Sequence, residues 1–187
     1  MARLRSWVCY RDYKRPYTRY SKFSKYCYIR ARPANRVSRF AMGKQEDFPC
    51  KVHLVSKQQM AVRDNAIESA RMAAVRLMET IGKTGWFLQI RIFPHHIVRE
   101  NPLAAGAGAD RMSTGMAHNY GKPIGIAAQV RQGQQVISVH TTKDKTSTAR
   151  AALLKASYKL PFTTSIMIET MKPVLRTKTA LKAKAVA

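Results

Sequence analysis

Acidic side chains are scarce in this chain. Ten Asp and Glu stand against 34 Lys and Arg in 187 residues, for a formal net charge of +24. So few carboxylates leave little for general acid–base chemistry. Cysteine is almost as sparse. Cys9, Cys27 and Cys50 are odd in number and widely spaced, which does not make a disulfide framework and fits a reducing, cytosolic setting. A zinc site needs about four ligands. Cys50-Lys-Val-His53 is the only ligand-like spacing, and a buried or half-buried thiol is the simpler reading. No metal and no cofactor are expected. No run of about 18 apolar residues occurs, which argues against a spanning helix and a membrane partner. There is no apolar signal-peptide core either.

What the chain has instead is positive charge, unevenly spread. Residues 1–44 hold 13 Lys and Arg and one acid, Asp12, together with nine of the sixteen aromatic residues. Arg-rich, acid-poor composition is shared with organelle transit peptides, but this segment is Tyr-rich rather than amphipathic. Arginine forks match phosphates, and rings stack on unpaired bases. No helix-turn-helix, finger or basic-zipper pattern is present. Irregular basic arms with rings suit folded RNA better than duplex DNA. The expected organisation is therefore a basic aromatic arm at 1–44, a folded domain at 45–171 and a basic tail at 172–187, with no internal repeat.

Within the domain, residues 51–56 read as a strand with Val52 and Leu54 on one face. Asn65-Ala-Ile-Glu68 has capping-box spacing. It predicts a helix to about Ile81, with Ile67, Ala70, Ala74, Leu77, Met78 and Ile81 inward and Gly82 as a left-handed cap. Trp86, Leu88, Ile90 and Ile92 alternate with Gln89 and Arg91 in a half-buried strand. Residues 125–130 and 135–140 read as strands joined by a turn at Arg131-Gln132-Gly133. A second helix is expected over 147–158, with Ala151, Leu154 and Tyr158 inward and Pro161 blocking its continuation. Residues 165–170 form a last strand. This order predicts an α+β fold, a two-layer sandwich of an antiparallel or mixed sheet with two helices on one face, plus the basic arm and tail.

A long loop rich in Gly and Ala interrupts the domain at 101–124. Loops of this length are normally functional or disordered. Two enzyme readings fail on spacing. Five residues separate Gly115 from Gly121-Lys122, where a P-loop needs four, and Pro123 stands where a hydroxyl belongs. Gly106-Ala-Gly108-Ala-Asp110-Arg111 lacks the third glycine of a dinucleotide fingerprint. His95-His96 has only Glu100 nearby as a carboxylate, so a strand-end pair meeting backbone or RNA is favoured over a catalytic or metal pair. Asp110 beside Arg111 reads as a turn residue or a loop-shaping ion pair.

Several strings resemble a known family. Tyr10-Arg11, Pro16-Tyr17-Thr18-Arg19, Tyr28-Ile29-Arg30 with Pro33, and Phe40-Ala-Met42-Gly43 resemble the N-terminal arm of the archaeal and eukaryotic large-subunit ribosomal protein "L ten e", counterpart of the bacterial "L sixteen". The string from Arg91 to Asn101, Gly106-Ala-Gly-Ala-Asp-Arg111, Gly115-Met116 and Gly121-Lys-Pro-Ile-Gly125 carry the resemblance further. It spans about residues 2–170 and is closer to the archaeal branch.

The resemblance implies a non-enzymatic structural component of the large ribosomal subunit, cytoplasmic, near the transfer-RNA cleft. Its loop would reach toward the peptidyl-transferase region. The implied partners are large-subunit RNA, neighbouring ribosomal proteins and transfer RNA close by, with no stable homo-oligomer. Arg3, Arg5, Arg11, Lys14, Arg15, Arg19, Arg30, Arg32 and Lys44 would anchor the arm on RNA. In the loop Gly106, Gly108, Gly115 and Gly121 permit close approach, Arg99, Arg111 and Lys122 carry charge, and Asp110 and Met116 complete the matched motif. Three departures stand out: Ala117 where the family usually has Arg, an extra Tyr/Ser/Lys-rich piece at 21–27, and a tail unlike the eukaryotic one. The alternative is an RNA-binding regulator or chaperone acting off the ribosome.

Overall fold

The computed structural model describes Tyr10, Arg11, Lys25 and residues 33–82, 84–100 and 121–170. These form eight strands and two α-helices: β1 (Ala41–Gly43), β2 (Cys50–Ser56), β3 (Met60–Arg63), α1 (Asp64–Met78), β4 (Trp86–Ile90), β5 (His96–Glu100), β6 (Lys122–Val130), β7 (Gln135–Thr141), α2 (Thr146–Ser157) and β8 (Thr164–Thr170). All strand pairs are antiparallel. They make two sheets, one of five strands in the order β1-β4-β7-β2-β8 and one of three in the order β3-β6-β5. The helices pack on each other, α2 over β2, β7 and β8, and α1 against β4, β3 and β6. The α+β sandwich is as the element order predicts, with the sheet divided in two.

The division corrects one expectation. β6 and β7 follow each other through the turn at 131–133, yet they do not pair. β7 lies between β4 and β2, and β6 lies between β3 and β5. Three short strands, β1, β3 and β5, add to those legible in the sequence. Too few residues alternate in each to give a period of two. β1 is held by a close approach: a Cβ on Gly43, whose φ is +86°, would lie 2.3 Å from the Trp86 carbonyl oxygen. Only glycine fits there without strain.

Helix α1 begins one residue before the expected cap. β3 runs straight into it at Arg63, so Asn65 is already helical and no side chain caps the end. Asp64 sits buried in the first turn. Its carboxylate accepts from the Asn65 N–H at 2.9 Å and the Arg36 N–H at 3.2 Å. Glu68 does not reach back to a cap. It binds Ser38 and Arg71. The inward stripe holds at Ile67, Ala70, Ala74 and Met78, with Leu77 and Ile81 partly buried. Gly82 ends the helical segment with the positive φ expected of a glycine cap, 101°, although its ψ of 170° departs from the αL cap geometry.

Helix α2 has a different buried face from the expected one. Ala149, Ala152, Leu153 and Ala156 are buried, whereas Leu154 is 48% and Tyr158 75% exposed. Ala151 is exposed as well. Small residues let α2 approach the Ala70 and Ala74 stripe of α1, and interhelical distance follows the contact side chains. The core lies between the helices and the five-stranded sheet. Val52, Leu54, Leu88, Ile137 and Val139 join it, with Met60, Val62, Ala128 and Val130 from the smaller sheet.

Candidate nucleic-acid interface

Residues 101–120, expected to form the long loop, lie outside the described residues, and the two strands that flank them form a stalk. β5 and β6 pair from His96↔Ala127 to Glu100↔Lys122, with a register shift between Val98 and Arg99. The loop's roots are therefore neighbours across one ladder. β3 pairs with β6 only from Ala127 to Val130, so among the described residues no third strand pairs with the stalk beyond it. Pro123, opposite Arg99, sits in this stretch. Proline donates no ladder bond and is tolerated at edges and bulges. The strand thus begins at Lys122, three residues before the expected start at Gly125. Gly121 turns the chain into it with φ 101°.

Arg63 links the stalk to the arm. Its Nη1 donates to the Tyr10 hydroxyl at 3.3 Å, and Tyr10 packs against the core. Its Nη2 lies 3.3 Å from where a Cβ on Gly125 would stand. Bare backbone at Gly125 makes room for the guanidinium. Arg63 was not singled out in the sequence, because nothing local marks an arginine at a strand–helix junction as a bridge.

Residues 33–43 run along the domain and are pinned to it. The Ser38 N–H and Oγ both donate to Glu68 at 3.2 Å. Arg71 grips the same carboxylate through Nε at 2.9 Å and Nη2 at 2.6 Å. The Arg71 guanidinium is the first cause holding the Glu68 carboxyl below its usual range, and Ser38 helps. Beside this clamp lies a cleft of about 620 Å³ lined by Arg39, Lys44, Arg71, Glu79 and Trp86. Lys44 pairs with Glu46, and both side chains are about half exposed. Such a pair contributes little to stability and yields readily to a phosphate.

Of the expected RNA-binding residues, Arg11 and Lys44 are described, at the arm's contact with the domain and beside the clamp. Arg3, Arg5, Lys14, Arg15, Arg19, Arg30 and Arg32 lie outside the described residues. Of the loop set, Arg99, Gly121 and Lys122 come together at the top of the stalk. Gly106, Gly108, Asp110, Arg111, Gly115 and Met116 lie outside. Cys50 and His53 point to opposite faces of β2, because three residues along a strand reverse the side chain. Among the described residues no group of three or more His, Cys, Asp or Glu could hold a metal.

The face of the five-stranded sheet opposite the helices carries buried imidazoles. His53 Nδ1 shares a 2.7 Å hydrogen bond with the Ser138 hydroxyl. Its Nε2 lies 3.4 Å from the Glu169 carboxylate, without an aligned hydrogen bond. Burial lowers the His53 pKa, and Glu169 only partly offsets it. His140, edge-on to Phe87, is held down to about 4, by burial first and then by Lys51, His53 and Arg91. Both imidazoles are neutral near pH 7 and add no charge to the surface.

A strongly basic α+β sandwich with an RNA-suited arm and a loop on a strand stalk defines a ribonucleoprotein component. The profile of the ribosomal protein L16p/L10e family matches residues 14–167. The chain is 40% identical over 176 residues to the large ribosomal subunit protein uL16 of Methanococcus maripaludis, covering 92% of this chain and 98% of that protein. It is 41% identical over 171 residues to uL16 of Archaeoglobus fulgidus, covering 90% and 95%. To uL16 of Staphylothermus marinus it is 39% identical over 176 residues, covering 92% and 98%. The chain belongs to the L16p/L10e family and is a structural protein of the large ribosomal subunit rather than an enzyme. Among the described residues no helix is long and apolar enough to cross a membrane.

Proposed function

We propose that this chain binds large-subunit ribosomal RNA through its basic N-terminal arm. In this reading it directs the loop between Glu100 and Gly121 toward the transfer-RNA cleft and the peptidyl-transferase region of a cytoplasmic ribosome. The observation that carries the reading is the stalk. Its paired strands hold both roots of the loop on one ladder, with Arg99 and Lys122 at its top. Residues 1–44 act as the anchor, although β1 within them also completes the larger sheet. Residues 45–171 are the body and 172–187 a basic tail. Arg3, Arg5, Arg11, Lys14, Arg15, Arg19, Arg30, Arg32 and Lys44 meet phosphates, while Gly106, Gly108 and Gly115 let the loop approach RNA closely and Arg111 supplies charge.

The test is the salt dependence of binding to large-subunit RNA fragments. Roughly six to ten phosphate contacts cost about 10³–10⁵ in affinity between about 50 and 200 mM salt. Affinity that does not change across this range refutes phosphate anchoring. Sucrose-gradient fractionation separates the rival: stoichiometric co-sedimentation with large subunits supports this reading, and absence from them supports a regulator acting off the ribosome.

A further inference from the structure

The chain crosses from the larger sheet to the smaller through residues 91–95, between β4 and β5. Ile92 and Pro94 are buried there, while Arg91, Phe93 and His95 are exposed. Extended alternation pins the two inward residues and turns the other three outward. Phe93 is 45% exposed. Its ring stacks on Phe40, with centroids 5.0 Å apart and 25° between planes. It also meets the His95 ring, tilted, at 4.5 Å and 42°. Phe40 is tied down, because it packs against the core and its carbonyl accepts from the Ile90 N–H at 2.8 Å. The three rings form a ladder fixed at Phe40 and open at His95.

The open end borders a cleft of about 400 Å³ lined by Pro33, Asn35, Phe93, Pro94, His95 and Ile97. That volume is in the range of small-molecule sites, which are mostly apolar with a few placed polar groups. The polar group here is Asn35. Its Oδ1 accepts from the Val37 N–H at 2.9 Å, which fixes the amide orientation and leaves the NH₂ as a donor. Among the described residues no carboxylate lines the cleft, and the whole chain carries +24.

We infer that this cleft receives an unpaired nucleobase of RNA, stacked as the next rung of the Phe40–Phe93–His95 ladder. Asn35 donates to its edge. Every base has a π-face, so the ladder selects for an unstacked base over a particular sequence. The inference rests on the RNA-binding reading above.

The test compares two probes of equal length, a hexaribonucleotide of adenosines and a hexamer of abasic ribose phosphates, each titrated into the full chain. The adenosine strand binds about 5–30-fold more tightly if a base occupies the cleft. Phe93→Leu and His95→Ala each shrink that ratio toward one and leave abasic binding and the thermal midpoint unchanged. Equal affinity of the two strands for the unmodified chain overturns the base site while leaving phosphate binding in place. Equal losses on both strands in the two variants overturn it too. Binding of neither strand refutes the RNA-binding reading itself.

Discussion

The five-stranded and three-stranded sheets do different work. β2 and β7 lie inside the larger sheet, under the helices, and carry Val52, Leu54, Ile137 and Val139 with no exposure. The smaller sheet contributes to the core only near β3. Past Ala127 its ladder narrows to β5 and β6 and ends at the roots of the loop. One sheet sets stability, the other sets where the loop emerges. In the proposed reading this separation is an advantage, because changes in residues 101–120 then leave the core untouched.

That comparison breaks or sharpens at graded sites. Leu54→Ala, in the larger sheet, has the largest expected effect. Truncating a fully buried leucine costs about 2–5 kcal/mol, read as a lower urea midpoint of the full chain. A loss below about 1 kcal/mol would mean the core does not centre on this sheet. Glu68→Gln comes next, since it loosens the contact of residues 33–43 with α1. Loss of charge-assisted bonds there costs about 1–2 kcal/mol. An unchanged midpoint would show that Ser38 and Arg71 find other partners.

Acid titration probes the helix-free face of the larger sheet. His53 and His140 are both lowered from 6.5, His140 to about 4. In the unfolded chain they return to the ordinary value, so below 6.5 the unfolded state binds more protons. Their contribution to stability is full above that pH and is lost as pH falls below it, for His140 through about 4. Glu68 acts lower, because its carboxyl is held below its ordinary 4.5, and its contribution is lost as pH falls through that depressed value. Between pH 6.5 and 4.5 the slope belongs to the histidines, His53 and His140 together with His96, which burial also lowers. His140→Gln is expected to flatten it, as followed by thermal unfolding from pH 6.5 downward. A slope unchanged by this substitution would place the acid sensitivity elsewhere.

The smallest effect on stability is expected for deleting residues 104–117. The two roots already meet at Glu100↔Lys122, and shortening a loop changes closure entropy by only about 1 kcal/mol. Folding and subunit incorporation persist while translation by ribosomes carrying the variant falls. Loss of incorporation would make the loop an assembly element instead.

Much of the body was legible before any coordinates. Period-two alternation marked β4, because Trp86, Leu88 and Ile90 face the core, although the strand ends at Ile90 rather than at Phe93 and Phe87 is buried on its other face. The α1 stripe at Ile67, Ala70, Ala74 and Met78 was legible because a helix on a sheet buries one side. α2 was misread for a physical reason. Its two faces are both apolar, and the bulky one, Leu154 with Tyr158, looks more like a core face than the alanines do. Only the matching alanines of α1, distant in sequence, decide between them. The capping-box spacing at Asn65 misled because β3, too short to show a period, delivers the chain into the helix two residues early.

For the interface the sequence went further in kind than in place. The charge of residues 1–44, the spacing that rules out a P-loop and the family strings between Arg91 and Gly125 all follow from residue identity and local order, and they pointed to a ribosomal protein of the L16p/L10e family. Pairing partners are long-range. Separation of β6 from β7 into two sheets, the stalk at 96–127, the bridge of Arg63 between Tyr10 and Gly125, and the contacts of Phe40, Phe93 and His95 join residues distant in sequence, 53 positions apart for Tyr10 with Arg63 and 62 for Arg63 with Gly125. Side chains so far apart in sequence meet only when the whole sandwich closes, so only the tertiary structure decided them.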